Sequence, residues 1–301
     1  FIDMVAAGME LDPPNDLEEY RHFLSKIESP SVSLPACPLM HGTGMWLGVF
    51  VPLLSGGCVV MTSGLGLNPD LILSMIETHR VTELVIVGDV FAKPILESLD
   101  FAEKRRDPYD LRSLQKITSS GVKWSEEVKQ GLLRHHDLVL TAIMGSTEGG
   151  MVSSVTTRGG SSAATAKFDL SDGVIVISDD GGEVSPGSGQ IGRLATSALV
   201  PLGYFKDPDK SESTFFEING VKYSLPGDYA KVEADGTITL LGSGSVCINT
   251  AGEKVFPEEV EEVVKKHEDV IDCLAVGIPD DQYGERVIVV ISLEELSLIH
   301  I

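Results

Sequence analysis

The sequence predicts an α/β protein: a parallel-sheet α/β subdomain, then a small β-barrel-like subdomain, then a partial α+β C-terminal lobe. Three observations predict it. From residue 32 to about 145, apolar strand-like runs alternate with amphipathic helical stretches, the texture of parallel layering. Between about 151 and 241 the pieces become short and β-like (GVIVIS, GRLATS, KYSLPGDYAKVE, TITLLG), separated by Gly, Asp and Pro. From Ser243 onward, a helical stretch, PEEVEEVVKKHE, precedes the strand-like DCLAVGIPD and RVIVVISL. The expected divisions are therefore 1–150, 151–242 and 243–301.

Each element has a local reason. In NPDLILSMIETHR, Asn68 can cap, Pro69 suits the first turn, and Leu71, Ile72, Met75 and Ile76 share a face. TELVIVG reads as a buried strand, and DLRSLQKITSSG as a strand ending in a small-residue turn that includes Ser119 and Ser120. SEEVKQGLLRHH offers Ser125 as a cap, acids in its first turn and basic residues near its end, as the helix dipole prefers. LVLTAIM is the next strand and carries MGSTEGG at its carboxyl end, where open α/β sheets place ligands. In the last lobe Pro257 opens the helix, and Val260, Val263 and Val264 form an expected core face. RGGSSAATAK, the one low-complexity patch, reads as a mobile surface loop. The start at Phe1 falls inside what reads as a domain, and the final EELSLIHI carries no turn or cap signal, so the chain reads as a fragment with a non-native end.

Composition narrows the function. The chain has 301 residues, 43% hydrophobic, enough for real cores. With 45 acidic against 23 basic residues, the formal charge is -22, which argues against nucleic acid and against an anionic membrane surface. A phosphate-bearing ligand would need local help from amides, a lysine or a metal. Cys37, Cys58, Cys247 and Cys273 lie far apart with no C-x-x-C pair, so neither a zinc site nor a disulfide framework is suggested, which fits a reducing cytoplasm. VFVPLLSGGCVVM is too short and too interrupted to be a transmembrane helix, and no signal peptide is visible, which leaves peripheral membrane contact and oligomeric state open.

No G-x-x-x-x-G-K-[ST] loop, H-E-x-x-H helix or G-x-S-x-G elbow is present. MGSTEGG, residues 144 to 150, sets a hydroxyl, a carboxylate and three glycines within seven positions. Small residues let amides approach a ligand, and a carboxylate beside a hydroxyl can hold a metal carried by phosphates. Alone, the stretch is equally an ordinary glycine-rich turn with a solvated Glu148. It is, however, one of six motifs in order: PLMHGTG at 38, SSGVKWS at 119, MGSTEGG at 144, GRLATSALVPLGYFKDPDKSEST from 192, YSLPGDYAKVEADGTITLLG from 223 and GSGSVCINTAGEKVFPEEVE from 242.

Together, at these separations, the six resemble the adenylate-forming acyl-CoA synthetases of the acyl/aryl-CoA ligase, peptide-synthetase adenylation and luciferase superfamily, over about residues 30 to 292. VCINTAGEKVFPEEVEEV is most similar to the fatty-acid-CoA ligases of actinobacteria. The resemblance implies roles for matching positions. Thr147 would contact ATP phosphates and Glu148 would help hold Mg²⁺. Asp228 would hydrogen-bond both ribose hydroxyls, a task for an acceptor-only carboxylate. Gly121 and Val122 would pack against adenine, as would Met144, ahead of Gly145, where the family usually has an aromatic ring. His41, beside Gly42, would line the junction of the acyl and pantetheine tunnels. Ser245 would be the hinge of a mobile lobe, and Gly252, Glu253 and Lys254 would face coenzyme A.

Departures from the family pattern stand beside these. Ser243 occupies the place of an arginine that contacts ribose and phosphate, whose fork of donors a hydroxyl cannot reproduce. Asn249 replaces a lysine, and neither the family's Ser/Thr/Gly-rich phosphate loop nor its late catalytic lysine lies within the chain. What the resemblance implies is ATP-dependent activation of a carboxylic acid, a fatty acid or a branched or steroid-derived one, with coenzyme A as second substrate, and little turnover by this chain alone. The alternatives are a carrier-protein-loading enzyme, a non-catalytic nucleotide- or acyl-binding descendant, and a plain structural α/β domain.

Overall fold

The computed structural model describes residues 5, 6 and 12–293, except 63, 65, 123, 161–166, 171, 198–199, 245–246, 252, 268 and 281. The chain separates into two compact units, Phe1–Thr147 with Val152–Thr165, and Glu148–Met151 with Ala166–Ile301.

The first unit opens with helix α1 (Leu17–Ser25), capped by Asp16, whose Oδ1 accepts from the amides of Glu18 and Glu19 at 2.9 Å. Strand β1 (Val32–Pro35) leads to a π-helix (Thr43–Phe50) that runs into the short α2 (Val51–Leu54). There follow β2 (Cys58–Val59), α3 (Pro69–His79), β3 (Glu83–Ile86), α4 (Gly88–Lys104), β4 (Lys116–Ser120), α5 (Glu126–His135), β5 (Val139–Ser146) and β6 (Gly149–Thr156). The sheet order is β2-β1-β3-β4-β5-β6, and every pair from β2 to β5 is parallel. Such a sheet needs helical crossovers, which α3, α4 and α5 supply. The core is built where strand residues Leu34, Leu84, Ile86, Ile117 and Leu140 meet Ile72, Leu73 and Ile76 of α3, Ile95 and Leu99 of α4, and Leu132 and Leu133 of α5.

Asn68 caps α3 as its sequence predicts, accepting from Leu71 N at 3.0 Å. The buried stripe, however, is Ile72, Leu73 and Ile76, with Leu71 only half-buried, because the helix turns its 69–72–73–76 line toward the sheet. Ser125 occupies the cap position of α5 without donating or accepting through its hydroxyl there; its amide instead donates to Asp89 Oδ1 at 2.9 Å. Ser119 and Ser120 are strand residues rather than turn residues, and the buried Ser119 Oγ accepts from Gly88 N at 2.8 Å, fixing the start of α4 against β4.

The second unit is antiparallel, as the short Gly- and Asp-separated pieces predict. It contains β7 (Lys167–Phe168), β8 (Val174–Ile177), β9 (Ile191–Thr196), α6 (Pro208–Thr214), β10 (Phe215–Ile218), β11 (Val221–Ser224), β12 (Asp228–Val232) and β13 (Ile238–Ser243). Their sheet runs β10-β11-β9-β12-β13-β7, with β8 also paired to β9. Next come β14 (Ile248–Thr250), β15 (Glu253–Val255), α7 (Pro257–Val264), β16 (Val270–Asp280) and β17 (Gly284–Leu293), whose strands form a sheet in the order β15-β14-β17-β16. Cys273 and Ala275 of β16 are buried on the α7 side, where Ala275 N donates to Glu261 Oε1 at 2.9 Å. The expected valine core face of α7 is only partly right. Val260 and Val264 are half-buried, but Val263 is 67% exposed. The helix turns its Val260–Val264 line toward the sheet and leaves Val263 at the solvent edge of that face.

Candidate functional site

In the first unit the tight turn of PLMHGTG sets the geometry. A side chain on Gly44 would place its Cβ 2.6 Å from the Pro38 carbonyl oxygen, so only glycine lets the π-helix begin there. His41 and Gly42 precede that helix, and His41 Nδ1 accepts from Thr43 N at 3.2 Å, an interaction that assigns the ring hydrogen to Nε2. The imidazole lies against Gly121, which follows β4 with φ +99°; a Cβ there would sit 2.9 Å from His41 Cε1. Val122 is exposed beside it. At the end of β5, Met144 is half-buried and Gly145 exposed, and Thr147 is exposed in the two-residue connection that precedes β6.

In the second unit, Asp228 opens β12 and is in register with Ser243 at the end of β13. Burial first, then the charges of Glu148 and Glu258, push the Asp228 carboxyl above the ordinary carboxylate range. Glu258 stands in the first turn of α7 and is itself pushed up by burial. Gly242, with φ +134°, leaves the space that the Glu258 carboxylate fills, since a side chain there would collide with it. The half-buried Glu148 accepts a hydrogen bond from the phenol of Tyr204 at 2.5 Å. Glu148 and Asp228, eighty positions apart, thus belong to one acid-rich locus. Clustered carboxylates disfavour each other's charge, and either protonation or a bound cation relieves it.

Of the residues facing coenzyme A by resemblance, Glu253 and Lys254 lie in β15 and are exposed. Lys254 Nζ donates to Tyr229 Oη at 3.1 Å and to Asp179 Oδ2 at 3.3 Å, and sits 4.4 Å from the centre of the Tyr229 ring. Tyr229 also packs on Phe256, with ring centroids 5.5 Å apart. Ser245 and Gly252 lie outside the described residues. Participants not singled out by sequence reasoning are Tyr204, Glu258, Asp179 and the ring pair Tyr229 and Phe256. Tyr204 falls inside a quoted motif, where the glycine before it and the P-x-x-S after it were a readable signal; nothing local marks Glu258 or Asp179.

Among the described residues, Asp100, Glu103 and His135 of the first unit form the one group of three side chains close enough to share a metal ion. His135 Nε2 lies 2.7 Å from Asp100 Oδ1 and Nδ1 lies 3.6 Å from Glu103 Oε2, so the carboxylates use opposite ring nitrogens and act as a tie between α5 and α4. No helix among the described residues is long and apolar enough to cross a membrane.

Comparison with known proteins follows the same lines. A family model described as AMP-binding enzyme matches residues 16–204. The 3-oxocholest-4-en-26-oate–CoA ligase of Rhodococcus rhodochrous is 40% identical over 279 residues, covering 89% of this chain and 48% of that protein. The medium/long-chain-fatty-acid–CoA/3-oxocholest-4-en-26-oate–CoA ligase of Mycolicibacterium smegmatis is 41% identical over 271 residues, covering 88% and 48%. The chain therefore spans about half the length of the curated relatives it matches. In fold it is similar to the ATP-bound MatB of Rhodopseudomonas palustris, with a TM-score of 0.72 and 22% identity, over 94% of this chain and 53% of that one.

Proposed function

We propose, given that this chain belongs to the AMP-binding enzyme family, that it is part of an ATP-dependent acyl-CoA ligase acting in two steps. An acid carboxylate attacks the α-phosphorus of ATP, forming an acyl–phosphate bond and releasing pyrophosphate. The thiol of coenzyme A then attacks the acyl carbon, the bond to AMP breaks, and a thioester results. The relatives named for medium- and long-chain fatty acids and for 3-oxocholest-4-en-26-oate support a long aliphatic or steroid-derived acid as substrate.

The observation that carries this reading is the joint locus of Glu148 and Asp228. Asp228 would accept from both ribose hydroxyls, and Thr147 would donate to phosphate oxygens. Gly121, Val122, Met144 and Gly145 would border the adenine, while His41 and Gly42 would border the acid and pantetheine. Lys254, Glu253 and Gly252 would meet coenzyme A after a rotation about Ser245.

The donor set fits Mg²⁺. Glu148 offers a hard carboxylate oxygen, its charge is felt at Asp228, and Mg²⁺ characteristically takes one or two carboxylates with substrate phosphates supplying the rest. When bound, the ion supplies charge neutralisation on the phosphates. The chain's own residues hold the ribose, border the base and orient the acid.

The test is acid-dependent exchange of labelled pyrophosphate into ATP by the full-length protein that carries this chain, with fatty acids of graded length and a steroid side-chain acid. Exchange with at least one acid, followed by thioester formation with coenzyme A, is expected. One observation favours a second reading: Ser243 stands directly across from Asp228, where the resemblance implies an arginine. That favours a nucleotide-binding descendant without turnover, and nucleotide binding without exchange for any acid would establish it.

A further inference from the structure

The Glu148 carboxylate is held by a side chain that neither the family resemblance nor the motif reading gives a role. Tyr204 Oη donates to Glu148 Oε1 at 2.5 Å. The buried Thr214 hydroxyl also acts on the phenol, favouring its ionised form while burial and Glu148 oppose it. The tyrosine is itself built in. Its amide donates to Ser211 Oγ at 2.8 Å, and Ser211 Oγ in turn donates to Asp207 O at 2.6 Å. Lys210 Nζ lies 4.2 Å from the ring centre, and the Phe215 ring packs at 5.5 Å between centroids. Asp207 caps α6 by accepting from Lys210 N at 3.1 Å, so the short helix is fixed where it meets the tyrosine. Ser211 would stand 3.0 Å from a Cβ at position 203, which explains the glycine before the tyrosine.

We infer that Tyr204 is a positioning residue for Glu148: it fixes one carboxylate oxygen by a charge-assisted hydrogen bond, so that the carboxylate meets the cation of a metal–ATP complex in one preset orientation. This rests on the proposed function, in which Glu148 is the cation's protein ligand. A side chain that must find its orientation on binding loses affinity to ordering, and one held beforehand does not.

The experiment measures ATP affinity of the full-length protein that carries this chain by titration calorimetry, once with Mg²⁺ and once with EDTA, so that the gain from the metal is a ratio. For Tyr204→Phe the affinity in EDTA should stay at the wild-type value and the gain from Mg²⁺ should shrink about tenfold, the worth of one charge-assisted hydrogen bond. Glu148→Gln should remove the gain, and adding Tyr204→Phe to it should change nothing further. An unaltered Mg²⁺ gain in Tyr204→Phe, or equal loss with and without the metal, would overturn the inference and leave the function standing. Should Asp228→Asn bind ATP as well as wild type, the proposed function itself fails, and with it the role given to Tyr204. Ser211→Ala, which loosens the tyrosine without touching Glu148, should give a smaller loss of the same metal-dependent kind.

Discussion

Asp228, proposed above to hold the ribose, stands where its charge costs the fold something. Its carboxyl is pushed above the ordinary range by burial and by the charges of Glu148 and Glu258. The folded state therefore holds the Asp228 proton more tightly than the unfolded state does. Stability falls as pH rises from the ordinary carboxylate range through the raised folded-state value, and the penalty is complete above it. Asp228→Asn keeps the shape and removes the charge. It should raise the melting temperature at neutral pH, and the advantage should vanish as pH falls below the ordinary carboxylate range; calorimetric scans over a pH series check both halves. The same substitution should lower ATP affinity, which sets stability against ligand at one position. Opposite it, the Ser243 hydroxyl is half-buried and in register across the sheet. That this position faces Asp228 could not be read from a single sequence, because the pairing depends on a bulge at Leu241 of β13, opposite the step from Tyr229 to Ala230.

At the scale of elements, the helices with end signals were legible and the stretch without periodicity was not. Asn68 with Pro69 marks α3 because cap and first-turn chemistry are local, and Pro257 marks α7 for the same reason. TGMWLGVF is apolar all round and shows no period, so nothing local announces a π-helix. Its path is set by close backbone approach, with Gly44 against Pro38 and Gly48 against Pro35. Gly44→Ala should destabilise the first unit by about 1–3 kcal/mol, since a backbone carbonyl cannot move aside as a flexible side chain can. Chemical unfolding followed by tryptophan fluorescence measures it, with Trp46 inside the affected helix and Trp124 in the core. The acid-rich locus was half legible. Glu148 and Asp228 could be named from motif resemblance, whereas Glu258 enters only through the packing of α7 against the end of β13, and Tyr204 only through a contact spanning 56 positions.

For the molecule as a whole, two properties oppose each other. The formal charge of -22 favours solubility. The β16–β17 hairpin works against it. Leu274 and Val290, cross-strand partners, are 59% and 61% exposed, and Ile278 and Ile288 extend the same outward face. Contiguous exposed apolar surface promotes association. Replacing Leu274 and Val290 together by lysine should lower light scattering on concentration while leaving the circular dichroism spectrum unchanged; undiminished scattering would place the adhesive surface elsewhere. Cys273 and Ala275 are buried and Leu274 between them is exposed, an alternation that DCLAVGIPD does not announce because its C-L-A-V run is apolar throughout.

That hairpin also decides how the protein responds to its medium. Like charges keep two copies apart over roughly 30 Å at 0.01 M ionic strength, but over only about 10 Å at 0.1 M. Once the repulsion is that short-ranged, two hairpins can meet. Added sodium chloride should then thicken a dilute preparation into clumps.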